Sequence, residues 1–386
     1  MIKLAVITTT RAEYGLLFPL IEELRSYESG EFRVELIVSG THLDKKYGNT
    51  IDEIKKDSVR IDHIVKIPTE SKKRTDTLYN QAEIIKSFTS FFSKNIYDGV
   101  VLLGDRYEIM IIALVAAELH IPIFHLCGGD TTEGATDEFY RHSITKMSQV
   151  HFPTNEESRR RIIQLGENPE KVFNYGHLGL DNIVNCKYLT KKEVLDSIGL
   201  NCDSYALCTY HPTTLEDADI EMSINGFLNA LHHFPDIHFI ITKSNSDYGG
   251  ELINSILDKD AKKNKNIHVY SSLGVKRYLS LMKHSLFVLG NSSSGILEAP
   301  SFGIPIINIG NRQKGRMQAK GIINCGDSEQ EIIGAINKAL NPNVIKEAKK
   351  MVNPYGDGKT APKIAKKIYE LLINKEINIF KSFYMI

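Results

Sequence analysis

Short apolar runs alternate along this chain with longer stretches in which apolar residues recur every three or four positions. The first run, Lys3–Thr8, ends in a turn, and Leu16, Leu17, Leu20, Ile21 and Leu24 then follow at helical spacing. A short continuous run beside a helical period predicts a strand followed by a helix. The alternation predicts further strands at Val34–Val38, Ile64–Ile67, Gly99–Leu103, Ile121–His125, Gln149–Phe152 and Val172–Tyr175. It predicts helices at Ile51–Lys56, Thr77–Lys94, Glu108–Leu119, near Glu138–Met147 and at Asn155–Leu165. Gly99–Leu103 is apolar throughout, as a strand covered on both faces would be. Strands of this kind, alternating with helices, build a parallel sheet between helical layers.

The glycine-punctuated stretch GHLGLDNI, residues 176–183, predicts a hinge, after which the pattern repeats without any repeat of sequence. Strands are expected at Tyr205–Thr209, Ile237–Ile241, Ile267–Val269, Ser285–Leu289 and Pro305–Ile307, and a last long helix at Thr360–Ile373 after NPYGDGKT. The fold class is therefore α/β with two doubly wound domains, residues 1–176 and 177–360. Doubly wound sheets bind ligands beyond the carboxyl ends of their strands, so the active site is expected in the cleft between the halves.

Composition narrows the function. A chain of 386 residues suits two domains. Lys plus Arg balances Asp plus Glu at 47 each, so nothing draws the whole surface to nucleic acid or to an anionic membrane. The five cysteines are scattered without a CxxC pair, which points to a reducing compartment and away from a disulfide frame or structural zinc. A strand begins at once, without a signal-peptide pattern, and no run of about 20 apolar residues occurs. A cytoplasmic location is expected. Neither a GxGxxG nor a Walker lysine motif is present, nor any metal-ligand spacing, so no cofactor and no metal are expected.

The candidate chemistry lies in loops that follow strands. GNSSSGILEAPSFG, from Gly290, is a small-residue turn entering a helical stretch at Ile296–Phe302. Helix-entry N–H groups lack intrahelical partners and the dipole adds positive potential, a setting for phosphate. Ser292, Ser293 and Gly295 would face a diphosphate, and Glu298 could accept hydrogen bonds from a ribose. A serine N-cap on a surface helix is the plainer alternative. TYHPTT places His211 directly after a strand, where it could contact a diphosphate or a leaving oxygen. GNRQKGR adds Arg312, Lys314 and Arg316 as a basic loop.

In the first half, TTTRAEYG carries Arg11, a cationic fork for phosphate or for a neighbouring carboxylate. SGTHLDKKYGNT carries His42, a possible substrate contact. GDRYE offers Asp105 as either a helix cap or an acid/base. HLCGGDTTEGATDEFYRHS is the densest ionisable cluster, with Asp130, Glu133, Asp137, Glu138, Arg141 and His142. Carboxylates so close together either splay into water or divide acid and base roles. Helical spacing lets Arg141 pair with Asp137 at i+4.

These motifs, in this order over essentially the whole chain, resemble the hydrolysing UDP-N-acetylglucosamine 2-epimerases, in particular the sialic-acid and legionaminic-acid branch. The resemblance implies two Rossmann-like domains of the glycosyltransferase-B type, with residues 361–386 packing back on the first. It implies a homodimer or homotetramer and a UDP-sugar substrate. The implied reaction releases UDP from a UDP-2-acetamido sugar and inverts C2 through a 2-acetamidoglucal. Carried over by motif position, Asp105, Asp137 and His211 are the catalytic candidates, supported by Arg11, Glu138 and Arg141, with Ser292, Ser293, Gly295, Glu298 and Arg316 on UDP. One departure matters. The HxEGG glutamate of better-known branches is replaced by Cys127, and Asp130, just past the glycines, is the carboxylate expected in its stead. UDP-GlcNAc is the expected substrate, and UDP-2,4-diacetamido-2,4,6-trideoxyglucose is the alternative. A glycosyltransferase of the same fold and a nucleotide-sugar sensor are more distant readings.

Overall fold

The computed structural model describes residues 1–45, 48–69, 74–131, 136–212, 220–244 and 250–385. Two compact units emerge, Met1–Asn182 together with Tyr355–Ile386, and Ile183–Pro354. The sequence expectation put these divisions at 176/177 and 360/361.

The first unit runs β1 (Ile2–Thr8), α1 (Arg11–Ser26), β2 (Phe32–Ser39), α2 (Ile51–Lys56), β3 (His63–Val65), α3 (Arg74–Phe92), β4 (Gly99–Leu103), α4 (Tyr107–Glu118), β5 (Ile123–Leu126), α5 (Asp137–Met147), β6 (Val150–Phe152), α6 (Glu156–Gln164) and α7 (Gly179–Asn185), within which the chain passes to the second unit. Its strands pair in parallel in the order β3-β2-β1-β4-β5-β6. Alternate residues of each strand feed opposite cores. Leu4, Val6 and Val101 pack with Leu17, Leu20 and Leu24 of α1. Ala5, Ile7 and Val100 pack with Phe88 of α3, Ile112 of α4 and Ile144 of α5. Because both faces are covered, a central strand such as β4 is a continuous apolar run rather than an alternating one.

The second unit runs α8 (Lys191–Asp196), β7 (Tyr205–Thr209), α9 (Ile220–His232), β8 (His238–Thr242), α10 (Gly250–Ala261), β9 (Ile267–Tyr270), α11 (Gly274–His284), β10 (Val288–Gly290), α12 (Ser293–Leu297), β11 (Ile306–Ile309), β12 (Ile323–Cys325), α13 (Glu329–Ala339) and α14 (Pro342–Ala348). Its strand order, β12-β11-β10-β7-β8-β9, has the same topology as the first sheet. In each sheet the order reverses at one place, between β1 and β4 and between β7 and β10. These are the switch points where doubly wound sheets bind ligands.

Three sequence expectations are corrected. Val172–Tyr175 is not a strand: Val172 makes one bridge to His151, and the Asn174 side chain then accepts the Gly176 N–H at 3.2 Å, turning the chain away. The expected hinge at residues 176–183 is partly helical, since α7 begins at Gly179. The expected helix Ile296–Phe302 is the five-residue α12 followed by a 3-10 turn, Ala299–Phe302. Pro300 lacks the N–H needed to continue the α-helical ladder.

The last helix, α15 (Thr360–Ile373), belongs to the first unit. Ile364, Ile368 and Leu371 join the α1 side of its core, and Tyr369 stacks on Tyr27 at 4.7 Å. Its own N-cap, Lys359, supplies no side-chain cap. Buried Asp181 does so instead, accepting the N–H of Thr360 at 3.1 Å and of Ala361 at 2.8 Å. Asp181→Ala is expected to lower stability by about 1–2 kcal/mol, the cost of a lost cap, with faster hydrogen exchange at Thr360 and Ala361. Unchanged exchange at those two amides would refute the capping role.

Candidate functional site

At the first switch point, β1 runs into Thr9 and Thr10, which start α1. Thr10 caps the helix through the Glu13 N–H, and Glu13 reaches back to accept the Thr9 N–H at 2.6 Å and the Thr9 hydroxyl at 2.9 Å. This reciprocal cap buries a carboxyl. Burial pushes Glu13 up to about 7, against the lowering effect of its Thr9 bonds and of Arg106.

β4 ends at Leu103, and Gly104 and Asp105 follow. β5 ends before Cys127, Gly128 and Gly129. Gly129 has φ +80, and a Cβ there would lie 2.4 Å from the Ser158 carbonyl oxygen, so the loop must be glycine. His125, fully buried, donates its Nε2–H to the Gly104 carbonyl at 2.9 Å and thereby joins the two strand ends. Burial drives its pKa down to about 3, so it is a neutral strut.

Helix α5 closes this side. Arg141, only 2% exposed, donates to Asp105 through Nε at 3.0 Å and through Nη2, and from Nη1 to Glu138 at 2.8 Å and to the Asp130 carbonyl at 2.9 Å. The i+4 partner expected from the sequence, Asp137, is not the one Arg141 takes. The pairing goes instead to Glu138 at i−3 and to Asp105, 36 residues away. Asp105 remains a third exposed, and its bonds from Arg141 go to Oδ2. Asp137, which Arg141 does not take as its ion pair, has its pKa raised by partial burial first and by the Asp105 charge second, against the lowering effect of Arg141 and Arg106. Glu138 also holds His142 at 2.9 Å. Asp130 Oδ1 is held by the Ser158 hydroxyl, with longer contacts to Thr154 and Asn155 at 3.4 and 3.5 Å. Cys127 keeps its proton, because burial pushes the thiol pKa well up and the neighbouring carboxylates push the same way. Glu133 lies outside the described residues.

Two first-half candidates sit elsewhere than expected. His42 is fully buried, its Nε2 bound to the Thr8 hydroxyl at 3.0 Å and its Nδ1 to the Thr50 hydroxyl at 2.8 Å. With both nitrogens occupied and burial driving its pKa down to about 4, it holds the loop in place and offers no atom to a substrate. Arg11 is largely exposed and pairs with Glu53 at 3.1 Å, a contact worth little to stability and easily exchanged for a ligand.

At the second switch point Gly290 has φ +144, and a Cβ would fall 1.9 Å from the Thr209 carbonyl oxygen. Only glycine permits that approach. Buried Asn291 then clasps the other strand end in both directions: its side chain accepts the His211 N–H at 2.7 Å and donates to the His211 carbonyl at 2.8 Å. His211 Nδ1 meets the Ser244 hydroxyl at 3.1 Å. Ser292 caps α12 through the Ser294 N–H, and Ser293 and Gly295 are half-buried in that helix. Glu298 is half-buried at its end, with its pKa raised by burial. Tyr278 reaches the Ser294 hydroxyl at 3.0 Å. In the basic loop, Arg312 and Gln313 both donate to the Asn291 carbonyl, at 3.2 and 2.9 Å. Arg316 is half-buried without an ion pair to the described residues.

The structure thus gathers Asp105, Asp130, Asp137, Glu138 and Arg141 at one switch point. His211, Ser292, Ser293, Gly295 and Glu298 gather at the other. Sequence reasoning overlooked Glu13, Asn291, Gln313 and Tyr278. The spacing Thr10-x-x-Glu13 is a capping-box signal that could have marked the first, and Asn291 and Gln313 lie inside motifs already noticed. Among the described residues no cluster of His, Cys, Asp and Glu could hold a metal ion, and no helix is long and apolar enough to cross a membrane.

Glu13 yields a pH prediction. Its folded pKa, about 7, exceeds the ordinary 4.5. The folded chain therefore binds this proton more tightly, and the resulting stability is complete below about pH 4.5 and is lost as pH rises toward 7. Glu13→Gln cannot ionise and is expected to flatten the fall in urea midpoint between those limits; a slope like the wild type's would refute the assignment.

Comparison with known proteins agrees with the fold. The family described as UDP-N-acetylglucosamine 2-epimerase matches residues 24–369. Polysialic acid biosynthesis protein P7 of Escherichia coli is 38% identical over 92% of this chain and 90% of its own. A GDP/UDP-N,N'-diacetylbacillosamine 2-epimerase (hydrolyzing) of Campylobacter jejuni is 39% identical over 85% and 84%. The crystal structure of UDP-GlcNAc 2-epimerase from Neisseria meningitidis bound to UDP-GlcNAc superposes with TM-score 0.80 at 20% identity, over 96% of this chain and all of that one, a likeness of fold. The chain belongs to the UDP-N-acetylglucosamine 2-epimerase family.

Proposed function

We propose that the protein is a hydrolysing UDP-N-acetylglucosamine 2-epimerase that converts UDP-GlcNAc and water to ManNAc and UDP. The observation that carries this reading is the carboxylate cluster at the first switch point, where Arg141 holds Asp105 while partial burial and the Asp105 charge raise the pKa of Asp137. Two carboxyl groups in unlike environments can divide acid and base work. A carboxylate takes the C2 proton, the C2–H electrons form the C1=C2 bond, and the C1–O bond breaks with its electrons going to UDP. Water then adds its oxygen at C1 of the glycal, and C2 receives a proton on the opposite face. The C–H is a poor acid, so stabilising the departing diphosphate must carry much of the barrier. That task falls to the second unit: His211 at the leaving oxygen, Ser292, Ser293 and Gly295 on the diphosphate, Glu298 on the ribose, and Arg316 nearby. Asp130 stands in for the glutamate that Cys127 displaces, and Cys127 itself keeps its proton.

A second substrate is favoured by one observation. The Campylobacter jejuni relative is named for UDP-N,N'-diacetylbacillosamine, and the same chemistry applies to that sugar. Incubation with each UDP-sugar in deuterated water separates the two. UDP release from UDP-GlcNAc with deuterium at C2 of the free product is expected. Release from the diacetamido sugar alone would transfer the assignment to it, and product without deuterium would overturn the elimination. Asp130→Asn is expected to abolish turnover while UDP still binds by calorimetry; full activity in that variant would remove Asp130 from the mechanism.

A further inference from the structure

The segment that follows α15 has no regular secondary structure, yet it is fastened to the first unit at several points. Lys171 donates to the Glu376 carbonyl at 3.1 Å, and the Tyr384 N–H donates to the Gly166 carbonyl at 2.9 Å. Phe383 packs so tightly on Gly166 that a Cβ there would lie 2.4 Å from its ring, and the Lys146 ammonium sits 5.0 Å from the centre of the same ring. Between these contacts lies Lys381. Its ammonium donates to the carbonyls of Lys146 at 2.9 Å and Ser148 at 2.6 Å, with a longer contact to Thr145 at 3.5 Å. Thr145 and Lys146 belong to the last turn of α5 and Ser148 is its C-cap, whose N–H already bonds the Thr145 carbonyl; the carbonyls at this end run out of intrahelical donors and carry the negative end of the helix dipole.

The charge of Lys381 is balanced from below. Glu167, almost fully buried, accepts Lys381 at 2.6 Å, Lys146 at 2.6 Å and the His151 Nε2–H at 3.0 Å. Those groups hold Glu167 down at about 2 against its burial. The C-terminal strap therefore ties α5 to the loop after α6 through one ammonium. The other end of α5 carries Asp137, Glu138 and Arg141. Eleven residues at about 1.5 Å each make a rod of about 16 Å, so any movement of its anchored end is passed to its working end.

We infer that Lys381 is a positioning residue for the reaction: by capping α5 it sets the register of Asp137 and Arg141 against Asp105. The inference rests on the assignment of that cluster to catalysis. A misplacement of about 1 Å in a reacting group costs on the order of a hundredfold in rate. The test uses the full-length protein with Lys381→Met and Lys381→Arg, reading kcat, KM, UDP affinity by calorimetry and hydrogen exchange of the α5 amides. Lys381→Met is expected to lower kcat about ten- to a hundredfold with UDP affinity within about twofold of wild type, since the UDP-holding groups lie in the other unit. Exchange across α5 is expected to quicken, and Lys381→Arg, which keeps the charge, to recover most of the rate. An unchanged kcat in Lys381→Met, no recovery with arginine, or a loss explained by the fraction of unfolded protein would each overturn the role. If the wild type releases UDP from neither sugar, the functional reading fails. In that case α5 exchange that stays slow in Lys381→Met overturns the anchor as well, and exchange that quickens supports it.

Discussion

A guanidinium taken out of water must find its charge and its five N–H groups answered by protein. At Arg141, 2% exposed, that demand organises the first switch point. Asp105 comes from the end of β4, Glu138 from the same helix, and the Asp130 carbonyl from the loop after β5. No two of these segments are adjacent in sequence except through α5. The buried cation draws them to one place and leaves Asp105 a third exposed. Removing one partner of such a set leaves an uncompensated buried charge, which costs more than the pair contributes.

The second switch point is built on a different economy. Neutral amides and backbone do the holding: Gly290 allows β10 to touch β7, and Asn291 locks His211 by two bonds to its backbone while Arg312 and Gln313 brace Asn291 from the next loop. The His211 ring is thereby presented on a fixed backbone. A group that must meet growing negative charge gains from being placed beforehand, because no reorganisation is then needed at the moment of reaction.

Much of this was legible in the sequence. Strands such as Gly99–Leu103 announce themselves because both faces are buried, and the motifs fall after strand ends because that is where doubly wound sheets leave loops free. What stayed hidden has physical reasons. β12 is three residues at a sheet edge with only Ile323 buried, too little apolar signal to read. Val172–Tyr175 has the composition of a strand, but a side-chain turn at Asn174 outcompetes the ladder. Helical spacing, the only proximity a sequence displays, favoured Asp137 as the partner of Arg141, whereas the structure pairs it with Glu138 at i−3 and with Asp105, 36 residues off at the end of β4. His42 looked available because a sequence cannot reveal that Thr8 and Thr50 close over it.

The route of the chain through its two units bears on how it is made. Residues 183–354 are contiguous, so the second unit has all its strands and helices as soon as that stretch leaves the ribosome. The first unit, although begun first, lacks α15 until residues 355–386 emerge. Until then the apolar stripe of α1 that Ile364, Ile368 and Tyr369 will cover is open to solvent. During synthesis, then, the earlier half of the molecule waits for the later one, and it spends that interval as the more aggregation-exposed of the two.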